Sequence, residues 1–101
     1  MLRIKRKKSS YIKFLELLNN PDLSKNDLIL YFDLVELLGT DNKGKFKKNF
    51  LIESNEVLAN ALDFPIHNFR EYLLNLIKNG LAYRDKRDRL CLNLYYVSEL
   101  K

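Results

Sequence analysis

The 101-residue chain has one cysteine, one histidine, no tryptophan, two prolines and three glycines, and each scarcity removes a class of architecture or chemistry. A lone Cys91 excludes an intramolecular disulfide framework and a cysteine-rich zinc site, so packing alone must hold the fold; a reducing, cytoplasmic setting is expected, associated with the nucleoid. With His67 as the single imidazole and three scattered glycines, no nucleophile–base pair, phosphate loop or metal-ligand cluster stands at a recognised spacing. An enzyme is therefore not expected, no cofactor or metal is called for, and only a carboxylate site assembled from separated parts of the chain stays open. No apolar run reaches the ~18 residues needed to cross a bilayer, because Lys13, Glu16, Asp33 and Glu36 interrupt every candidate. The basic start Met1–Lys8 lacks the apolar stretch and small-residue cleavage site of a secretory signal, and is read as part of the mature protein.

What is present is one core and an uneven distribution of charge. A hydrophobic fraction of 47% over 101 residues supplies a single core, in a chain too short for two packed domains. The formal charge of +5 points towards a polyanionic partner, and its distribution says more than its sum. Residues 1–13 carry +6, residues 14–42 carry −5 and residues 43–101 carry +4. Such polarity predicts two basic ends facing an anion and an acidic middle with another task. Residues 1–9 are expected to be a basic tail in which Arg3, Lys5, Arg6, Lys7 and Lys8 act by general electrostatic attraction, ahead of one domain over residues 10–101.

Ser10 is placed to cap a helix over Tyr11–Asn19, with Ile12, Leu15 and Leu18, beside Phe14, on one face, and Asn20-Pro21-Asp22 stops it. Ser24, with Asp27 three residues on, opens a second helix in which Leu28, Tyr31, Phe32, Val35 and Leu38 recur at helical spacing up to Gly39. Turn chemistry marks residues 39–44 as a loop, followed by Lys45, Lys47 and Lys48 around Phe46 and a short strand at Phe50-Leu51-Ile52. Ser54 caps a helix over about Asn55–Leu62, and Asp63-Phe64-Pro65 is a turn. A helix from Ile66 to Asn79 then turns Phe69, Leu73, Leu76 and Ile77 inward, with Gly80 at its left-handed C-terminal position. After Gly80 the period becomes extended: Leu81-Ala82-Tyr83, a charged turn Asp85-Lys86-Arg87-Asp88 and an aromatic-rich run Leu90–Val97 make a β-hairpin. The expected fold is mainly α, with three to four helices and a small wing of two or three strands.

Helix, tight turn, longer helix, glycine and a hairpin with a basic tip follow in the order of a winged helix-turn-helix. Leu58-Ala59 fit the paired apolar and small positions of the first helix, Leu62 and Phe64 flank the turn, and Pro65 takes the capping position. Phe69, Leu73 and Leu76 fill the core positions of the second helix, and Gly80-Leu81 lead into the wing. On these residues the chain from Ser54 to Val97 resembles the winged-helix DNA-binding superfamily, including MarR-type regulators and the replication initiators of plasmids and phages. It departs from that pattern at Asp63, where the family usually places glycine, and at Pro65, where Ser or Thr would supply a side-chain cap.

The resemblance implies a sequence-specific double-stranded DNA-binding protein, a small transcriptional regulator, with helix 66–79 in the major groove. Its outward residues His67, Asn68, Arg70 and Glu71, with Asn75 further along, are then the base-reading candidates. Arg70 can donate to guanine O6/N7, Asn68 can pair with adenine N6/N7, and Glu71 can accept from cytosine N4 or orient Arg70. Arg84, Lys86, Arg87 and Arg89 of the wing suit phosphates or the minor groove, and Lys45, Lys47 and Lys48 suit the DNA backbone on one flank.

Other readings stay open at this level. Replication initiation is implied as much as promoter binding. Glu71 and the acidic middle fit a winged-helix adaptor or inhibitor that binds protein without DNA, and Tyr95 and Tyr96 with the tail suggest single-stranded binding. The helix from Ser24 to Gly39 either packs across the motif as the first helix of a three-helix core, or uses Leu30, Leu34 and Leu37 in a seam with the Tyr11–Asn19 helix. The second option, a homodimer through helices 11–19 and 24–39 that would match a palindromic site, is the expectation carried forward. Cys91 is expected to pack as a small hydrophobe, His67 to lie at the surface without a metal, and at least one of Tyr95 and Tyr96 to face the core.

Overall fold

A computed structural model describes residues 13–97. Its elements are α1 (helical residues 13–18), α2 (Lys25–Leu38), β1 (Phe50–Leu51), α3 (Asn55–Ala61), α4 (Ile66–Lys78), β2 (Ala82–Arg84) and β3 (Leu90–Leu92). The proposed Ser10 cap, Tyr11, Ile12 and the cations Arg3 to Lys8 lie outside the described residues.

Most helix boundaries are made by side chains a few residues away. Ser24 Oγ accepts the Asp27 N–H at 3.1 Å while Asp27 Oδ2 accepts the Ser24 N–H at 2.8 Å, which satisfies two donors that a helix start leaves unpaired. Ser54 Oγ likewise accepts the Val57 N–H at 3.2 Å. Pro65 caps α4 with no side-chain bond and a φ of −58°; it has no N–H to satisfy, and its ring presets the entry to the helix. Left-handed residues follow the helices: Gly39 at φ 72°, Gly80 at φ 76° and Asp63 at φ 62° between α3 and α4. Asp63 thus adopts the conformation that glycine would supply at lower cost.

α2 packs across α4, and α4 also rests on α3 and β2. The sheet is antiparallel with β3 central: Phe50 pairs with Cys91 and Leu51 with Leu90 on one edge, Ala82 with Leu92 and Arg84 with Leu90 on the other. The result is a small domain of four helices and a three-stranded sheet around one core. Leu30, Tyr31, Leu34, Phe69, Leu76, Leu81, Leu90 and Leu92 are fully enclosed, and each apolar side chain of this size contributes about 1.5–3 kcal/mol by leaving water. Tyr31 crosses this core to donate its hydroxyl to the Asn93 carbonyl at 2.5 Å. Burial, and secondly Tyr96, push its phenol pKa up, which keeps it a neutral donor.

Tertiary packing overrides several local expectations. In α1, Leu17 is buried while Leu15 and Leu18 face outward, because the helix docks through Phe14, whose ring lies 5.9 Å from that of Phe32. In α2 the inward arc contains Leu30 and Leu34 together with Tyr31, Val35 and Leu38. Two of the three leucines assigned to a dimer seam are therefore core, and only Leu37 is exposed. The run Leu90–Val97 stops being a strand at Leu92, since Asn93 turns the chain: its Oδ1 accepts the Tyr95 N–H and its Nδ2 donates to the Gly80 carbonyl, both at 3.0 Å. Tyr95 is consequently exposed, whereas Tyr96 packs partly against the core. Ile52 falls outside β1 and points into solvent. Among the described residues no helix is long and apolar enough to cross a membrane.

Candidate nucleic-acid interface

α4 is amphipathic. Phe69, Leu73 and Leu76 point inward and His67, Arg70, Glu71, Leu74 and Lys78 point outward. Two arginines connect this outward face to its neighbours. Arg70 donates to Glu56 Oε2 at 2.7 Å, and Arg84, at the end of β2, donates to Asn55 Oδ1 at 2.7 Å and to the Asp88 carbonyl at 3.1 Å. The first two residues of α3 thus hold one arginine from α4 and one from the hairpin, and the three elements share a continuous surface. The exposed Arg70–Glu56 ion pair is worth about 0–1 kcal/mol, so either side chain can leave it at small cost.

The β2–β3 hairpin is organised by Asp85. Its Oδ1 accepts the N–H groups of Arg87 and Arg89, both at 2.9 Å, and its Oδ2 accepts Arg89 Nε at 2.7 Å. These bonds, the backbone one from Arg89 foremost, hold the Asp85 carboxyl below its ordinary pKa. Asp88 completes the turn at φ 60°. Arg89 is half-buried, since its guanidinium also lies 4.0 Å above the Phe50 ring, a cation–π contact. Among the described residues Lys86 and Arg87 make no ion pair, and they are the outward cations of the tip.

The remaining candidates divide between surface and scaffold. His67 Nε2 and Glu71 Oε2 meet at 3.1 Å on the exposed face, an ion pair only when the imidazole is protonated. Asn68 donates to the Tyr72 hydroxyl at 3.4 Å, and that oxygen also accepts from Asn26 at 3.2 Å. Asn75 is engaged by the scaffold. Its amide donates to Asp27 Oδ2 at 2.5 Å and to the Asp22 carbonyl at 2.8 Å, and with Asp27 only 4% exposed this side chain fastens α4 to the start of α2. Lys45, Lys47 and Lys48 also stand apart from the tip. The Leu92 N–H donates to the Asn49 carbonyl at 2.7 Å, so the lysine run enters the sheet at the end opposite the hairpin turn, with Lys48 Nζ 5.5 Å from the Phe50 ring centre.

Sequence reasoning missed the roles of Asn55, Glu56 and Asp85. Asp85 had a local signal, a carboxylate two and four residues before arginines across a turn, whereas Glu56 and Asn55 reach partners 14 and 29 residues away. It also missed Leu74, a leucine 55% exposed in the middle of the outward face of α4. Cys91 is buried at the centre of β3, and that burial raises its thiol pKa. Among the described residues no group of three or more His, Cys, Asp or Glu side chains is placed to hold a metal ion. No protein-family model, curated protein or solved structure matches the chain.

Proposed function

We propose that the chain is a winged-helix protein that binds duplex DNA, with α4 entering the major groove and the β2–β3 hairpin following the adjoining backbone. The observation that supports this most is the continuous surface formed by α4, the start of α3 and the hairpin, joined through Arg70–Glu56 and Arg84–Asn55. The order α2-β1-α3-α4-β2-β3, in which β1 completes the sheet beside β3, is the layout such a reading requires. On this reading Arg70 leaves Glu56 to donate to a guanine edge, Asn68 and Glu71 contact neighbouring bases, and Lys86 and Arg87 meet phosphates. The basic residues Arg3 to Lys8 add non-specific attraction. A small transcriptional regulator and a replication-initiation protein would both use this arrangement.

Mobility-shift titration of a random duplex pool at several salt concentrations tests the proposal. Binding is expected to weaken steeply with salt, and Lys86→Glu with Arg87→Glu to reduce the slope of log K against log salt by about 2. Absence of binding at low salt, or a slope near zero, refutes it. A second reading, a protein-binding adaptor, is favoured by Leu74 and by the mutual neutralisation of Arg70 and Glu56 on the same face, since an exposed apolar centre is what a protein partner covers. Under that reading Leu74→Ala abolishes partner binding and the chain retains no duplex.

A further inference from the structure

The face of the sheet turned away from the core carries chemistry of its own. Residues paired across antiparallel strands project to the same side, so Leu51 and Leu90 point into the core while Phe50, Cys91 and Tyr83 form one row across the outer side. The Tyr83 side chain reaches across β3. Its hydroxyl accepts from Asn49 Nδ2 at 3.4 Å, on the chain entering β1, and lies close to the Cys91 thiol. Cys91 is 4% exposed and Tyr83 47%, so the ring covers the thiol with one side and offers the other to solvent. A tethered aromatic ring open on one side is a stacking surface.

Cations border it. Arg89 Cζ lies 4.0 Å and Lys48 Nζ 5.5 Å from the centre of the Phe50 ring, which places both on this side of the sheet. Lys47 and Lys48 are exposed and, among the described residues, form no ion pair. The neighbouring acids are engaged or lie elsewhere: Asp85 is held by Arg89, Asp41 accepts the N–H groups of Lys43 and Lys45, and Glu53 follows the other end of β1. An anion is therefore drawn to the Lys47–Lys48 end of the face. An exposed π face beside unpaired cations matches an unpaired nucleotide, whose base stacks and whose phosphate is charged. In a duplex that base is enclosed in the stack.

We propose that the outer face of the sheet binds single-stranded DNA, with a base stacked on Tyr83 and the adjoining phosphates at Lys47 and Lys48. The choice of DNA over RNA rests on the duplex reading of α4, whereas the stacking does not. α4 packs on the inner side of the sheet, so both surfaces can be occupied together, and the lysine run acquires a task separate from the hairpin tip.

Photocrosslinking tests this on the unaltered full chain. The protein is irradiated with an oligothymidylate of about twelve nucleotides carrying 5-iododeoxyuridine, and the attached residue is located by peptide mass spectrometry. Attachment at Tyr83 is expected. In anisotropy titrations Tyr83→Ala, its fold checked by a thermal melt, should weaken binding at least about fivefold, and Tyr83→Phe, which keeps the ring, by less than about twofold. Lys47→Ala with Lys48→Ala should lower the slope of log K against log salt by about 1.4, or about 0.7 for each phosphate contact. Attachment confined to the segment Arg3–Lys8 or to α4, no binding at low salt, or unchanged affinity in folded Tyr83→Ala overturns the proposal. So does a Tyr83-dependent affinity for oligouridylate, or for a polyglutamate peptide, above that for oligothymidylate. Failure of the chain to retain duplex while it holds the single strand overturns the duplex reading alone.

Discussion

Replacing Asn75 by alanine separates the scaffold role of α4 from its role at the surface. The amide makes two hydrogen bonds at the start of α2, one to the almost fully enclosed Asp27 carboxylate in its first turn and one to the Asp22 carbonyl just before it. A bond to a charged group contributes about 1.5–3 kcal/mol and one to a neutral carbonyl about 1 kcal/mol, so the loss is expected at about 2.5–4 kcal/mol. At about 4–8 °C per kcal/mol for a domain of this size, the melting temperature should fall by at least about 10 °C. Urea denaturation followed by circular dichroism measures it, with an unchanged m value showing that the native state keeps its extent of burial. Asn75→Asp, which sets a second carboxylate against Asp27, should cost more than the alanine variant. Arg70→Ala is the counterpart: its exposed pair with Glu56 should cost at most about 1 kcal/mol of stability yet weaken duplex binding about tenfold. A stability loss below about 0.5 kcal/mol for Asn75→Ala, accompanied by a tenfold drop in duplex retention by folded protein, would refute the assignment and return Asn75 to the reading surface.

Other consequences follow from the turns. Asp63→Gly, at φ 62°, should stabilise the domain by about 0.5 kcal/mol, because glycine adopts this conformation without strain, and a lower melting temperature would contradict that account. Gly80→Ala should destabilise by about 1 kcal/mol through backbone strain alone, since an added Cβ meets nothing within 4 Å at φ 76°; a neutral result in urea titration would refute the strain. The Asp85 carboxyl pKa is lowered in the folded hairpin, so its contribution is present above the unfolded value of about 3.9 and is lost as pH falls through the folded one. Carboxyl-detected NMR should show that lower midpoint, with the Arg87 and Arg89 amides titrating alongside, and Asp85→Asn should flatten the acid limb of the stability curve.

The parts of the fold legible in the sequence are those written in short-range chemistry. Ser24 with Asp27, Ser54, Pro65 and Gly80 mark helix ends because their hydrogen bonds and dihedral preferences involve neighbours only a few residues away. The inward residues of α4 are equally plain, since Phe69, Leu73, Leu76 and Ile77 recur at helical spacing; the first three are buried and Ile77 packs partly against the core. α2 was ambiguous because leucine recurs at 28, 30, 34, 37 and 38, which supports more than one stripe, and only the presence of α4 decides that Leu30 and Leu34 go inside. The hairpin is legible in the sequence but the end of its second strand is not, because an aromatic run shows no interruption while Asn93 turns it through bonds to Gly80 and Tyr95.

At the candidate interface the chemical types were legible and their employment was not. Asn75 and Asn68 are the same residue on the same helix and both are half-buried, yet the amide of one fastens the start of α2 while that of the other meets the Tyr72 hydroxyl of its own helix. Arg84, Lys86, Arg87 and Arg89 look equivalent in sequence, while Asp85 and the Phe50 ring hold Arg89 half-buried and leave Lys86 and Arg87 as the outward cations.

Read alone, the sequence settles the scarcity of thiol and imidazole chemistry, the segregation of charge and the places where helices begin and end, because each depends on composition or on neighbours within one turn. Tertiary structure settles which polar side chains are scaffold and which face solvent. The partners of Arg70, Arg84, Asn75 and Tyr31 lie 14, 29, 48 and 62 residues distant, and no local preference encodes which group packing brings within 3 Å of another.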